Sequence, residues 1–311
     1  MRIVFMGTPQ FSVNVLEGLL TLDHEVVLVV TQPDKLVGRK QTVEYSPVKK
    51  CALQHNLNIF QPTKIKDEFQ TVLDYKPDII ITAAFGQFIP KVILDYPKYG
   101  AINVHGSLLP KYRGGSPIQT AIIKGEKETG ITIMYMASKM DSGNIIAQKA
   151  IDILDDDDNG SIFEKLSVVG RELLLEVLPS IFAGTNPSIP QNEEEVTYAY
   201  NITHEQQFIN WNQSSKDIVN LVRGLSPAPT ALTSVNGTIV KVFKAKVYSN
   251  EILGKPGEVI KLNKELLVCS GDGVVIINEL QQAGKNKMDA KSFLNGQKIL
   301  SLGTVLENNI I

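Results

Sequence analysis

The opening thirty residues, MRIVFMGTPQFSVNVLEGLLTLDHEVVLVV (1–30), decide the fold class. Ile3–Met6 is a short apolar run that stops at Gly7-Thr8-Pro9. Phe11, Val15, Leu16, Leu19 and Leu20 then recur on one helical face, and Glu25–Val30 is a second apolar run. Strand, tight turn, helix, strand is the unit from which parallel sheets are built. Both apolar runs lack polar alternation, so both faces of these strands are expected to be covered.

The pattern continues outward from that unit. Val48–His55 reads as helix, Leu57–Phe60 as a brief strand, Asp67–Tyr75 as helix and Asp78–Thr82 as a strong buried strand. Gly100–Val104 is another strand, Pro117–Lys124 a helix, and Ile131–Met136 and Ile145–Ile151 two more strands. Thr31–Pro47 is polar and aperiodic and reads as a long loop. Apolar runs alternating with helices predict an α/β, Rossmann-like domain with a mostly parallel sheet. Ligands in such sheets lie beyond the carboxyl ends of the strands, which puts Gly7–Pro9, Ala83–Phe88 and Val104–Pro110 on one rim.

Ser161–Phe182 is a long amphipathic helix that ends at Gly184-Thr185-Asn186-Pro187. Residues 1–186 are therefore assigned to the first domain. The polar stretch 187–204 reads as a linker, and residues 205–311 as a second domain. After a helix at Ser215–Leu225 the pattern turns to short strands, with Asn236-Gly237 as a hairpin signal. Five or so strands in this stretch predict a small, OB-like β-barrel.

Composition narrows the class. The chain has 311 residues, 43% hydrophobic and 21% charged, with a net charge of −2, as in a globular protein. Residues 206–311 carry a net +4 and residues 1–205 a net −6, a distribution compatible with a polyanion held by the second half and equally with ordinary surface variation. Two distant cysteines, Cys51 and Cys269, give no disulfide framework and no expected metal site, and point to a reducing, cytoplasmic setting. The first apolar run is too short for a signal peptide, and no membrane span is expected.

Several motifs are set aside on their chemistry. Gly7-Thr8-Pro9 lacks both G-x-G-x-x-G and the P-loop pattern, and Pro9 removes a backbone donor that a phosphate cradle would use. Asp155–Gly160 mimics the start of a calcium loop, but the position that needs a bidentate Glu is Leu166. Acidic residues leading into the following helix account for it better. His24, His55, His105 and His204 include no i, i+4 pair, so no zinc helix is expected. No G-x-S-x-G occurs.

His105 ends a buried strand, and Asn103 lies two residues before it, so both side chains leave the same face. An amide and an imidazole so placed are suited to bonding a developing oxyanion. Asp141 follows another strand, in Met140-Asp141-Ser142-Gly143, where its carboxylate could hold the imidazole's tautomer. Spacing alone favours a structural histidine beside a strand-end asparagine.

AINVHGSLLPKYRGGSPIQTAI followed by GITIMYMASKMDSGNII resembles the active-site region of the folate-dependent formyltransferases. MRIVFMGTPQFSV, VVTQPDKLVGRKQTVEYSPVK, PDIIITAAFGQFIPK and the C-terminal barrel resemble the branch of that family acting on tRNA, so the likeness covers nearly the whole chain. The resemblance implies that Asn103, His105 and Asp141 are the catalytic trio and that the co-substrate is 10-formyltetrahydrofolate. It implies a folate site from Phe85, Gly86, Phe88 and Ile89 and from Ser107, Leu108, Leu109, Pro110 and Lys111. The acceptor would be the α-amine of methionine esterified to initiator tRNA, in translation initiation. Arg39 holds the place of a loop residue that meets the acceptor stem, with Lys40 beside it. Here only one basic residue follows Arg39, fewer than relatives often carry, so the loop's electrostatic share in RNA binding is expected to be smaller. Lys241, Lys244 and Lys246 are the basic residues expected to hold tRNA phosphates, with Lys285, Lys287, Lys291 and Lys298 further along. The family needs no metal, and its usual form is a monomer. The rivals are a formyltransferase on a sugar-nucleotide amine, the hydrolase module of formyltetrahydrofolate dehydrogenase, and a non-enzymatic RNA-binding protein.

Overall fold

The computed structural model describes residues 1–38, 41–296 and 299–307. Arg39, Lys40 and Lys298 lie outside the described residues. In chain order the first elements are β1 (Arg2–Gly7), α1 (Gln10–Leu19), β2 (Glu25–Val30), β3 (Lys35–Val37) and β4 (Thr42–Glu44). Then come α2 (Pro47–Gln54), β5 (Ile59–Phe60), α3 (Gln70–Asp74), β6 (Ile79–Ala83), α4 (Lys91–Leu94), β7 (Ala101–His105) and α5 (Pro117–Ile123). β8 (Glu128–Tyr135), β9 (Ile145–Asp152) and α6 (Asn159–Ala183) follow. The remainder holds α7 (Ser215–Leu225), β10 (Ala231–Val235), β11 (Thr238–Ser249), β12 (Val259–Lys261), β13 (Leu266–Cys269), β14 (Val274–Gln282), β15 (Met288–Asp289) and α8 (Ala290–Gly296).

Contacts divide the chain into two compact units. One comprises Met1–Pro117, Glu128–Asp152 and Phe163–Tyr200, and the other Ile118–Lys127, Ile153–Ile162 and Asn201–Ile311. Sequence order alone did not anticipate that the short segments around α5 and before α6 group with the C-terminal residues. Among the described residues no helix is long and apolar enough to cross a membrane.

The first unit is built on a seven-stranded sheet in the order β5-β2-β1-β6-β7-β8-β9. β5, β2, β1, β6 and β7 are mutually parallel, and β8 and β9 add on antiparallel. The Rossmann-like expectation holds, with an antiparallel edge that apolar runs alone do not distinguish. Ile3, Val4, Phe5 and Met6 of β1 and Ile79, Ile80 and Ile81 of β6 are fully buried, so both faces of the central strands are covered. Each such side chain contributes about 1.5–3 kcal/mol relative to exposure. The stretch 31–47 is not a plain loop: β3 and β4 form an antiparallel hairpin, pairing Lys35 with Glu44 and Val37 with Thr42. Leu36 and Val43 on it are exposed, which is why no buried period marked it in the sequence.

The rim predicted from strand order is present. Thr8 Oγ1 donates to the Phe85 carbonyl at 2.9 Å, and Thr82 Oγ1 at the end of β6 donates to Asn103 Oδ1 at 2.7 Å on β7. Residues 187–200 run back along this unit. Ile189 bridges Ile145, and Tyr198 bridges Arg113.

In the second unit β10, β11, β14, β13 and β12 form a curled antiparallel sheet, with β15 against β14. Trp211, Ile218, Val222 and Leu225 pack into its core with Val242, Val268 and Ile277. The Trp211 indole N–H donates to Thr233 Oγ1 at 3.1 Å, so its burial leaves no lost hydrogen bond. Ser214 caps α7 by accepting from the Asp217 N–H at 3.0 Å. In the acid run before α6, Asp158 serves the helix start, its Oδ1 accepting from the Ser161 N–H at 2.9 Å, while Asp157 turns back to accept from the Leu154 N–H at 2.9 Å.

Candidate active site

β7 ends the parallel part of the sheet and carries Asn103 and His105 on one face. Asn103 is half-buried, and His105 is 5% exposed. The Thr82 hydroxyl holds Asn103 Oδ1, which turns the amide nitrogen away to donate elsewhere. Among the described residues Nδ2 has no partner.

The loop after β7 folds back over its own strand end. His105 Nε2 lies 3.1 Å from the Tyr112 carbonyl oxygen. A carbonyl only accepts, so Nε2 carries the hydrogen of this bond. Ser107 Oγ donates to the Lys111 carbonyl at 2.7 Å, and Thr132 Oγ1 of β8 donates to the Ser107 carbonyl at 2.7 Å. Thr132 in turn accepts from the Leu109 N–H at 3.1 Å and from Gln148 at 2.8 Å, and Gln148 also holds the Leu109 carbonyl at 2.8 Å. The turn is therefore pinned from β8 and β9.

Asp141 arrives from the loop between β8 and β9. Its Oδ2 stands 3.8 Å from His105 Nδ1 and accepts from the Gly114 N–H at 2.8 Å. The first distance suits an ion pair but exceeds a hydrogen bond. The Tyr112 carbonyl, a backbone group, orients the ring directly, and Asp141 faces the free ring nitrogen. Asp141 has φ 46°, a left-handed conformation that its surroundings must support. Gly143 follows in a space no side chain could share: a Cβ there would lie 1.8 Å from the Tyr135 carbonyl oxygen.

Asn103, His105 and Asp141, singled out from the sequence, thus converge. Reading the sequence did not find the groups that hold them: Tyr112 and Gly114 act through backbone atoms, Thr132 and Gln148 belong to the antiparallel strands, and Gln191 donates to the Asp141 carbonyl at 2.8 Å. The Tyr-Arg-Gly-Gly run after the turn was a signal for Tyr112 and Gly114 alone. Arg113 is buried at 2% exposure and pairs with Glu193 at 2.8 Å, which holds that carboxyl below its ordinary range.

The residues expected around a folate divide by exposure. Phe85, Ile89 and Leu109 have their side chains in the core, at 4%, 3% and 3%. Phe88 is 69% exposed, Gly86 and Lys111 are exposed, and Leu108 and Pro110 are half-buried. Gly86 has φ 88°, a turn that lets Gln32 reach the Phe85 carbonyl at 3.0 Å. Ser107 is buried.

In the second unit Lys241, Lys244 and Lys246 are exposed on β11. Lys246 Nζ pairs with Asp156 at 3.0 Å and holds that carboxyl below its ordinary range. Lys244 and Lys246 edge a groove of about 520 Å³ that also meets Lys127, Asp156, Lys216 and Arg223, so its charge is mixed. Arg39 and Lys40 lie outside the described residues. Glu17 on α1, Cys51 on α2 and His55 just after α2 bring their ligand atoms within 4.8 Å of one another, a grouping the separation of the two cysteines did not suggest. Burial, reinforced by Glu17, pushes the Cys51 thiol up to about 11, whereas a metal binds the thiolate.

Comparison with known proteins gives the family of the chain. Residues 1–178 match the formyl transferase family model, and residues 201–298 match the model of the formyl transferase C-terminal domain. A methionyl-tRNA formyltransferase of Enterococcus faecalis is 52% identical over 299 residues, covering 95% of this chain and 96% of the relative. One from Staphylococcus aureus strain MW2 is 48% identical over 309 residues, covering 98% and 99%. Among solved structures, the Helicobacter canadensis N-formyltransferase in complex with folinic acid and dTDP-3-aminofucose superposes with a TM-score of 0.68 at 23% identity, covering 88% of this chain and 98% of that one.

Proposed function

Because the chain belongs to the formyl transferase family, we propose that it transfers the formyl group of 10-formyltetrahydrofolate to the α-amine of methionyl initiator tRNA. The observation that carries this reading is the convergence of Asn103, His105 and Asp141 at one strand end, in a chain about half identical to methionyl-tRNA formyltransferases over nearly its full length.

The three side chains divide the work. Asn103 Nδ2, turned outward by Thr82, donates to the formyl oxygen as negative charge develops there. His105 has Nε2–H committed to the Tyr112 carbonyl, so Nδ1 is the ring atom left for the reaction centre. Asp141 Oδ2 faces that nitrogen at 3.8 Å, placed to take a proton from the attacking amine, directly or through water, and to pass it to the folate nitrogen as the bond between that nitrogen and the formyl carbon breaks and tetrahydrofolate leaves. Positioned proton transfer of this kind contributes about 10²–10⁴-fold. Holding amine and formyl group in one cleft supplies much of the rest.

A folate needs flat apolar contact beside backbone donors and acceptors. The exposed Phe88 ring, the open turn at Gly86 and the pinned turn from Ser107 to Lys111 fit those needs. In this reading residues 1–186 carry the chemistry, 187–204 link, and 205–311 hold tRNA through Lys241, Lys244 and Lys246, with Arg39 and Lys40 at the acceptor stem. The enzyme acts as a cytoplasmic monomer and uses no metal.

The test is incubation with 10-formyltetrahydrofolate and charged initiator tRNA. Formyl-methionine on the tRNA is the expected product. No such product, with formylation of an amino-sugar nucleotide instead, overturns the reading.

A further inference from the structure

Gln191 spans the two loops that meet at the catalytic trio. Its Nε2 donates to the carbonyl oxygens of Asp141 and Gly143, each at 2.8 Å. Its Oε1 accepts from Arg113 Nε at 3.0 Å and from Nη2 at 2.8 Å. Both amide hydrogens and the amide oxygen are therefore committed. Gln191 lies between the two matched segments, 1–178 and 201–298, and belongs to neither.

Asp141 has a backbone conformation that such a clamp supports. A non-glycine residue at φ 46° persists only where its surroundings over-determine it. Two groups do so: the Gly114 N–H on the carboxylate and Gln191 on the carbonyl. Gly114 directly follows Arg113, which Gln191 also holds. One side chain thus fixes both the backbone of Asp141 and the loop that steers its carboxylate.

We propose that Gln191 is a positioning residue for formyl transfer, holding Asp141 Oδ2 opposite His105 Nδ1. The proposal rests on the formyl-transfer reading. Misplacement of a reacting group by about 1 Å costs on the order of 10²-fold in rate, so a clamp that touches no substrate still sets kcat.

Two substitutions separate this role from simple adhesion to Arg113. Gln191→Glu keeps the reach and strengthens the contact with the Arg113 guanidinium, but sets an oxygen against the Asp141 and Gly143 carbonyls. Gln191→Met keeps the volume and removes both contacts. Steady-state kinetics with charged initiator tRNA are measured beside the His105 ring resonances of the substrate-free protein. The expected result is a 10–100-fold fall in kcat in both variants, KM for tRNA within twofold, and shifted His105 resonances in an otherwise native spectrum. Gln191→Glu with kcat within twofold of wild type and unmoved His105 resonances overturns the proposal, as does a loss of stability with kcat unchanged. If the wild-type protein formylates no methionyl-tRNA, the functional reading fails separately, and the His105 resonances still decide whether Gln191 positions Asp141.

Discussion

The Nε2 of His105 bonds the carbonyl oxygen of Tyr112, seven residues further along the same loop, at 3.1 Å. That contact selects the ring's tautomer without any carboxylate, and it leaves Nδ1 facing Asp141 across 3.8 Å. Nitrogen-15 spectra of the neutral ring are expected to show the hydrogen on Nε2. A ring protonated on Nδ1 alone would show that the Tyr112 contact does not exist in solution.

Gly114 and Gly143 frame Asp141 in spaces that exclude a methyl group. A Cβ on Gly114 would sit 2.4 Å from the Ala199 carbonyl oxygen at φ 130°, and one on Gly143 1.8 Å from that of Tyr135. Both obstacles are backbone, so the loops themselves must move. Gly114→Ala and Gly143→Ala are each expected to cost about 1–3 kcal/mol in urea denaturation and to lower kcat at least tenfold. Wild-type kcat in either variant would mean that Asp141 tolerates displacement.

The exposed lysines of β11 are not equivalent. Lys246 is paired with Asp156, whereas Lys241 has no carboxylate partner among the described residues. An RNA phosphate must displace Asp156 to reach Lys246 but meets no competitor at Lys241. Lys241→Ala is therefore expected to weaken tRNA binding more than Lys246→Ala and to lower the log–log salt slope by about 0.9. Asp156→Asn is expected to tighten binding at low salt. Filter binding across a salt series checks this, and an unchanged slope in Lys241→Ala removes that lysine from the RNA surface.

Cys51 is 3% exposed, and burial, with a smaller contribution from Glu17, pushes its thiol up to about 11. The folded state then holds a proton that the unfolded chain releases above about pH 8.5. The associated stability is complete below that value and is lost as the pH rises through about 11. Cys51→Ala should flatten the fall in the urea midpoint between pH 8 and 10. Alkylation of Cys51 in the folded protein at pH 8 should run roughly 100-fold slower than that of a free thiol, since only the thiolate reacts. Equal rates, located by peptide mass spectrometry, would contradict the buried placement.

Much of this was legible in the sequence because it rests on side-chain identity and period. Unbroken apolar runs such as Ile79–Ile81 marked the central strands, and Asn103 with His105 at a strand end marked a candidate site. Direction was not legible in the same runs, because Ile131–Met134 is as apolar as a parallel strand although β8 runs antiparallel. The paired strands 35–37 and 42–44 have no buried residue and so left no period. Backbone groups such as the Tyr112 carbonyl and the Gly114 N–H carry no residue signature, since every residue supplies a carbonyl and nearly every one an N–H. Gln191 sits in a polar, aperiodic stretch where nothing local separates a clamp from a solvated side chain.

The central claim is that Asn103, His105 and Asp141 perform the transfer, and the most direct measurement is single-turnover formylation of charged initiator tRNA by Asn103→Ala, His105→Ala and Asp141→Ala beside their tRNA affinities. Each variant is expected to lose about 10²–10⁴-fold in the transfer rate while binding tRNA within a few-fold of wild type. A variant that transfers the formyl group at a near wild-type rate would strike that residue from the trio, and three such variants would contradict the account of the site.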